Sequence, residues 1–294
     1  MQNKSIKGYV FAVLSAVIYG SMPLMSKYIY ADGVNPLTLV FLRNVFSLIP
    51  LGMLAYRERK TLKIPGKLLP SIALIGVLGC CITPILLFSS YQFIPSGTAT
   101  VIHFAYPAVV MIGGLLFFRQ KLRVMGIAST VLCITGICMF YTPGESLDLT
   151  GSLLALASAV SFASYVLLLS RFDSTRVSGF LFNFYVTVVC SIFTLIVCLA
   201  TNSLALPASL SGWGLCIVFS LLVTTGAVVL FQQSTFLIGG DRASILSTLE
   251  PITGVLLGCI FLREPFGIRV ALGTALVVAA SILIVLPGKR KKSP

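Results

Sequence analysis

Apolar stretches of about twenty residues, the length of a helix that crosses the hydrocarbon core, follow one another along the whole chain with only short gaps between them. They fall near 6–27, 35–56, 68–91, 95–118, 122–142, 150–171, 178–201, 211–235, 241–262 and 266–287. The gaps leave no room for a water-soluble domain. Composition agrees: 57% of residues are hydrophobic and 10% charged, against about a quarter charged in soluble domains. Too little charge remains to cover a soluble surface, so the bilayer is the expected solvent. The expected fold is an all-α integral membrane protein with ten transmembrane helices.

A net charge of +13 is the electrostatic footprint of a nucleic-acid binder, but its placement excludes that partner. The basic residues sit in the gaps: Lys4 and Lys7; Arg57, Arg59, Lys60, Lys63 and Lys67; Arg119, Lys121 and Arg123; Arg171, Arg176 and Arg242; and Lys289 to Lys292. With the N-terminus inside, all of these are cytoplasmic, and only Lys27, Arg263 and Arg269 fall on the other face. Lys and Arg mark the cytoplasmic side, so both termini are expected there, in the cytoplasmic membrane. The N-terminal run continues past Pro23 into further spans, as in a retained first helix and unlike a cleaved signal. The eight cysteines lie inside apolar runs with no CxxC, which points to packing and away from disulfides or zinc.

The chain repeats itself. A shift of 144 aligns 90–144 with 234–288, matching Pro107 to Pro251, Gly114 to Gly258, Phe117 to Phe261, and Pro143-Gly144 to Pro287-Gly288. A shift of 143 aligns the first span with the sixth, matching Gly8 to Gly151, Ala12 to Ala155, and Ser15-Ala16-Val17 to Ser158-Ala159-Val160. Each half, 1–144 and 145–294, then holds five spans. An odd number forces the second half into the membrane upside down. Inverted repeats meeting at the midplane are a recurring carrier design.

Charge inside a span needs an account. Glu250, near the middle of the ninth span and just before Pro251, would bind a cationic group or carry a proton; its bland reading is a helix-bridging carboxyl. His103, the single histidine, excludes a His-cluster metal site and leaves a proton or hydrogen-bonding role, with a satisfied structural histidine as the alternative. Arg43 either snorkels along its stem or faces a cavity or a carboxylate. Ser96, Thr100, His103 and Pro107 share one helical stripe, and the shift of 144 maps them to Gly240, Ser244, Ser247 and Pro251, with Tyr106 opposite Glu250. Such stripes line a pocket or pack helices closely. Ser15, Tyr19, Met22 and Ser26 form a similar stripe, as do Ser158, Phe162 and Tyr165. Gln232, Gln233 and Asn183 are further pocket candidates. The candidate substrate contacts are thus Glu250, His103, Tyr106, Ser247, Tyr19, Thr100, Ser244 and Gln232. There is no Walker loop, GxSxG, HExxH or paired-Asp motif, so no enzyme and no cofactor are expected.

The segment RASILSTLEPITGVLLGCIFLREPF at 242–266, with its small-residue opening, Leu-Glu-Pro centre and closing Glu-Pro, resembles the drug/metabolite transporter superfamily, in the branch built from two EamA-type halves. SGTATVIHFAYPAVVMIGGLLFFRQKL at 96–122 is its first-half partner, with Gln120 in place of the usual acidic residue. The resemblance covers essentially the full length. It implies a ten-helix inverted-repeat fold, a central cavity, and movement of amino acids or similar small organic solutes. It also implies peripheral fifth and tenth spans, where some relatives form homodimers. The expected function is secondary transport of a small metabolite by alternating access; a lipid-modifying membrane enzyme and a channel or scaffold are the rivals.

Overall fold

The computed structural model describes residues 2–59, 62–118, 124–139, 148–169, 171–172, 177–238, 243 and 246–285, and among them all regular structure is helical. Ser244, the 119–123 loop, the 140–147 segment and the basic tail lie outside the described residues.

The first crossing is α1 (Gln2–Gly20) followed by α2 (Met22–Ala31), with a turn at Ser21. It runs beyond the expected end near 27. Pro23 has no N–H to return to the Tyr19 carbonyl, so the ladder breaks there. α3 covers Pro36–Arg59. The third crossing joins α4 (Leu69–Gly76), a π-helical segment Val77–Ile82, and α5 (Thr83–Ser90). The fourth is α6 (Ser96–His103), a turn at Phe104 and Ala105, and α7 (Tyr106–Phe118). α8 (Val124–Cys138), α9 (Leu149–Leu169) and α10 (Gly179–Ala200) follow. α11 (Leu210–Phe219), a second π-helical segment Ser220–Ala227, and α12 (Val228–Ile238) make the next passage. α13 (Leu249–Leu262) and α14 (Ile268–Val285) close the chain.

Seven stretches are long and apolar enough to cross a membrane: Ile6–Ala31, Pro36–Glu58, Gly66–Ser90, Ser96–Phe117, Leu149–Leu169, Gly179–Ala200 and Leu210–Ser234. α8 and the apolar helices Leu249–Leu262 and Ile268–Leu283 occupy the places of the other three expected spans and are shorter. The outside of the bundle is apolar, with Ile49, Phe117 and Leu210 exposed by 68, 78 and 89%. Polar Asn44, Ser47, Thr100, His103 and Ser158 are buried instead. A molecule greasy outside and polar within suits lipid, where polar groups find partners only inside the protein.

Two irregularities recur at the sequence offsets. Pro107 lacks the N–H that His103's carbonyl would accept. The chain therefore tightens, with Ala105 N–H on Ile102 O at 3.0 Å, before restarting with Ala108 N–H on Ala105 O at 3.0 Å. Pro251 stands in the same relation to Ser247, and there the helix turns at Thr248 before α13 begins. The π-helical segments start at Val77 and Ser220, related by the shift of 143. Ser47 Oγ lies 2.7 Å from Ser220 Oγ at the start of the second. Cys190, matched to Ser47 by the same shift, donates to the carbonyl of Gly76 just before the first, at 3.4 Å.

Helices of the two halves interlock. α1 packs on α12 and α13, while α9 packs on α5, α6 and α7. α3 lies along the second π segment and α10 along the first, and α3 and α10 pack on each other, as do α8 and α14. α6 meets α13 at Gly97, where a Cβ would stand 2.9 Å from Val255 Cα. A glycine is needed for that approach.

One end of the bundle is fastened by carboxylates at helix N-termini. Pro95 precedes α6 and offers no capping oxygen. Glu264 supplies it from the far end of α13: Ser96 N–H and Oγ–H both donate to Oε1 at 2.7 Å, and Gly97 N–H to Oε2 at 3.1 Å. A carboxylate is the favoured partner for those orphan N–H groups. Arg263 makes this possible by taking a left-handed conformation, φ 53°, that ends α13 and turns Glu264 back. At the same end Ser209 Oγ–H donates to Asp32 Oδ1 at 2.6 Å and Ser209 N–H to Oδ2 at 3.1 Å, while Ser209 Oγ accepts from Gly212 N–H to cap α11. These hydrogen bonds, the side-chain one first, hold the Asp32 carboxyl below its ordinary range. Lys27 Nζ donates to the Tyr91 carbonyl.

Candidate functional site

The two helix breaks bring the sequence candidates to two neighbouring lobes. In the first, Glu250 occupies the opening turn of α13 and is half-buried. A helix N-terminus favours negative charge there. The end of α1 rests on this turn: a Cβ on Gly20 would stand 2.7 Å from the Glu250 carbonyl oxygen. Tyr19, half-buried on that helix end, consequently feels the charge of Glu250, and so do Tyr91 and Tyr106. Ser247, half-buried, precedes the break by one residue.

The second lobe is aromatic. His103 ends α6, only 7% exposed, with Nδ1 2.8 Å from Ser158 Oγ. Ser158 Oγ–H donates to Ala155 O at 2.6 Å. Its oxygen is therefore an acceptor for Nδ1–H, which assigns Nε2 as the acceptor of a neutral ring. Phe162 stands between His103 and Tyr106, at ring-centroid distances of 5.4 and 4.7 Å, and Tyr165 extends the cluster 5.3 Å from Phe162. His103 and Tyr106 are themselves 5.8 Å apart.

Other candidates lie elsewhere or do other things. Thr100 is 2% exposed, donates to Ser96 O at 2.9 Å and lies 3.3 Å from the Tyr91 hydroxyl. Its methyl faces Gly254 of α13, so it packs α6 against α13. Gln232 lies against Gly179 at the start of α10. Arg43, open between snorkelling and facing inward, is turned inward: its Cζ lies 5.8 Å over the buried Phe88 ring, and its charge reaches Tyr19. All eight cysteines are unpaired. Among the described residues no three His, Cys, Asp or Glu side chains gather as a metal site would require.

The family model described as the EamA-like transporter family matches this chain twice, over residues 6–142 and 149–286. The chain belongs to that family. Relatives of this EamA-like transporter include a protein of Clostridium kluyveri described as an uncharacterized transporter, 23% identical, with 94% of this chain and 92% of the relative covered. The uncharacterized inner membrane transporter YicL of Salmonella typhimurium is 24% identical over 97% of each chain. A solved structure titled only as the crystal structure of a protein shares the fold, with a TM-score of 0.65 at 17% identity, covering 94% of this chain and 95% of that one. The EamA-like chain is accordingly a multi-pass membrane protein and a transporter of small molecules in a lipid bilayer.

The Glu264 clasp was missed in the sequence. Glu264 was read as part of a family pattern, and its capping role depends on a partner 168 residues away. Proline at the N-cap of α6 was the available signal, because it leaves a helix start without a local cap.

Proposed function

We propose that the chain is a secondary transporter that moves a small organic solute, an amino acid or similar metabolite, across the cytoplasmic membrane by alternating access. In this reading ten spans form two inverted five-helix repeats, 1–144 and 145–294, with both termini cytoplasmic. One observation carries it. Two crossings break at positions related by the repeat offset, and ionisable or polar side chains flank both breaks: His103 and Tyr106 at one, Ser247 and Glu250 at the other. Discontinuous helices of this kind place helix ends and unpaired carbonyls at a midplane site. The double family match and the paired π-helical segments support the repeat.

Glu250 takes the cationic group of the solute or a coupling proton, Tyr19 and Ser247 complete its polar surroundings, and His103 and Tyr106 wall the aromatic side. The test is flux into proteoliposomes. Saturation with solute and acceleration by solute on the opposite side are expected of a carrier. Flux that rises linearly with concentration would assign a channel, and consumption of lipid with no flux an enzyme. Orientation is read separately: single cysteines at position 146 should label from outside intact cells, and at position 121 should not.

A further inference from the structure

Arg43 lies two turns into α3, within the crossing Pro36–Glu58. A guanidinium at that depth is costly unless it snorkels, meets an anion or faces water. Here it does not snorkel. Its planar group lies over Phe88, which is fully buried and braced by Tyr91 and Phe219 at centroid distances of 5.8 and 6.0 Å. Ser220 Oγ–H holds the Arg43 backbone carbonyl at 2.6 Å. The head is thus fixed where α1, the first π-helical segment and α5 meet, and Tyr19 and Cys80 both feel its charge.

Nothing described there neutralises it. Nε is buried without a hydrogen-bond partner, and no carboxylate pairs with Arg43 among the described residues. Glu250 acts on the same Tyr19 hydroxyl with the opposite sign. The fold itself does not ask for a cation: the shift of 143 matches Arg43 to Val186, an apolar residue 3% exposed at the equivalent place on α10.

We propose that Arg43 is the anion subsite of the central site, taking the carboxylate of a zwitterionic solute whose ammonium group goes to Glu250. A guanidinium fork held against a buried ring, with Nε unpartnered, is pre-organised for a carboxylate, and two opposite charges near one hydroxyl match a molecule that carries both. The solute's side group then falls toward His103, Tyr106 and Phe162. This rests on the transporter reading above and adds to it the charge pattern of the solute.

The experiment is a thermal-shift titration of the purified full chain with the twenty amino acids and the carboxamide of each. Expected is that at least one amino acid stabilises the wild type and that its carboxamide binds about tenfold or more weakly, as loss of a hydrogen-bonded charge partner does. Arg43→Met should bring the amino acid down to the level of its carboxamide. Arg43→Lys, which keeps the charge without the fork, should keep part of the preference. Glu250→Gln should weaken both ligands and leave their ratio standing. An undiminished preference in Arg43→Met overturns the subsite and leaves the transporter reading intact. Equal binding of acid and amide by the wild type overturns it without recourse to any variant. If no amino acid binds, the zwitterion goes with the subsite, and proteoliposome flux of other metabolites decides the transporter reading by itself.

Discussion

The lobe around Glu250 and the lobe around His103 are built from matching pieces of chain and contain different chemistry. Tyr19, Ser247 and Glu250 stand at positions that the offsets match to Phe162, His103 and Tyr106. The geometry corresponds: the end of α1 meets the start of α13 as α9 meets α6 and α7. Yet the first lobe holds a carboxylate with a guanidinium nearby, and the second holds four rings in edge-on and tilted contact. The difference teaches that backbone devices and binding chemistry are under separate control. Prolines and π-helical segments serve the architecture and occur twice, whereas Glu250 and Arg43 have uncharged residues, Tyr106 and Val186, at the matched positions, as the proposed recognition of an asymmetric solute requires. Charge is also expensive in lipid, so a second copy without a ligand group to meet it would only destabilise the fold.

The most direct way to break this contrast is to remove the charge from the polar lobe. Glu250→Gln keeps the shape and hydrogen bonding of the side chain but can neither pair with a cation nor release a proton. Gradient-driven accumulation in proteoliposomes should fall to the level of empty vesicles, while Tyr106→Phe, the change at the matched position, should keep most of it. Wild-type accumulation in a well-folded Glu250→Gln protein would make Glu250 a structural residue and remove the functional distinction between the lobes.

A smaller effect is expected on the aromatic side. Phe162→Ala removes the ring between His103 and Tyr106. A fully packed Phe→Ala change costs about 3–5 kcal/mol of stability, but Phe162 is only half-buried and should lose less. Transport should survive with a KM raised about tenfold and selectivity among side groups relaxed. A fall in maximal rate with KM and selectivity unchanged would place the ring in helix movement and not in recognition.

Much of this arrangement was legible in the sequence and some was not, for physical reasons. Spans were legible because lipid demands continuous apolar runs. Matching glycines and prolines were legible because close approaches and helix breaks tolerate few other residue types: Pro107 and Pro251, Gly8 and Gly151. Glu250, His103, Tyr106 and Tyr19 are conspicuous in the sequence because ionisable and aromatic groups stand out against apolar neighbours. Thr100 was ambiguous: one small polar side chain serves equally to line water or to pack, and only its contacts with Ser96 O and Gly254 decide. Arg43 was ambiguous because a snorkelling stem and an inward head have the same sequence. The Glu264 clasp was invisible because tertiary contacts across 168 residues leave no periodic trace.

That clasp extends the comparison to the helix starts. Glu264→Ala leaves the Ser96 and Gly97 N–H groups without their acceptor, and a lost cap or charged hydrogen bond costs about 1–3 kcal/mol. Thermal stability in detergent should fall accordingly, with Glu264→Gln recovering part of it. Stability unchanged in Glu264→Ala would mean that water caps α6 as well as the carboxylate does.

Asp32 should show the smallest effect, and only in acid. Its folded pKa lies below the ordinary carboxylate value because Ser209 donates to it through both side chain and backbone. A group depressed in this way contributes stability that is fully present above its unfolded pKa, about 3.9, and is lost as pH falls through the lower folded value. The wild type should therefore lose an increment of thermal stability as pH drops below about 4 that Asp32→Asn does not show. At neutral pH the two should differ little, since an asparagine carbonyl oxygen can still accept from Ser209. Glu264→Gln provides the contrast, because Glu264 accepts from two successive N–H groups and a hydroxyl at the start of α6 and its loss should be felt at neutral pH. Equal neutral-pH losses in Asp32→Asn and Glu264→Gln would show that the two carboxylates fasten this end of the bundle as one unit.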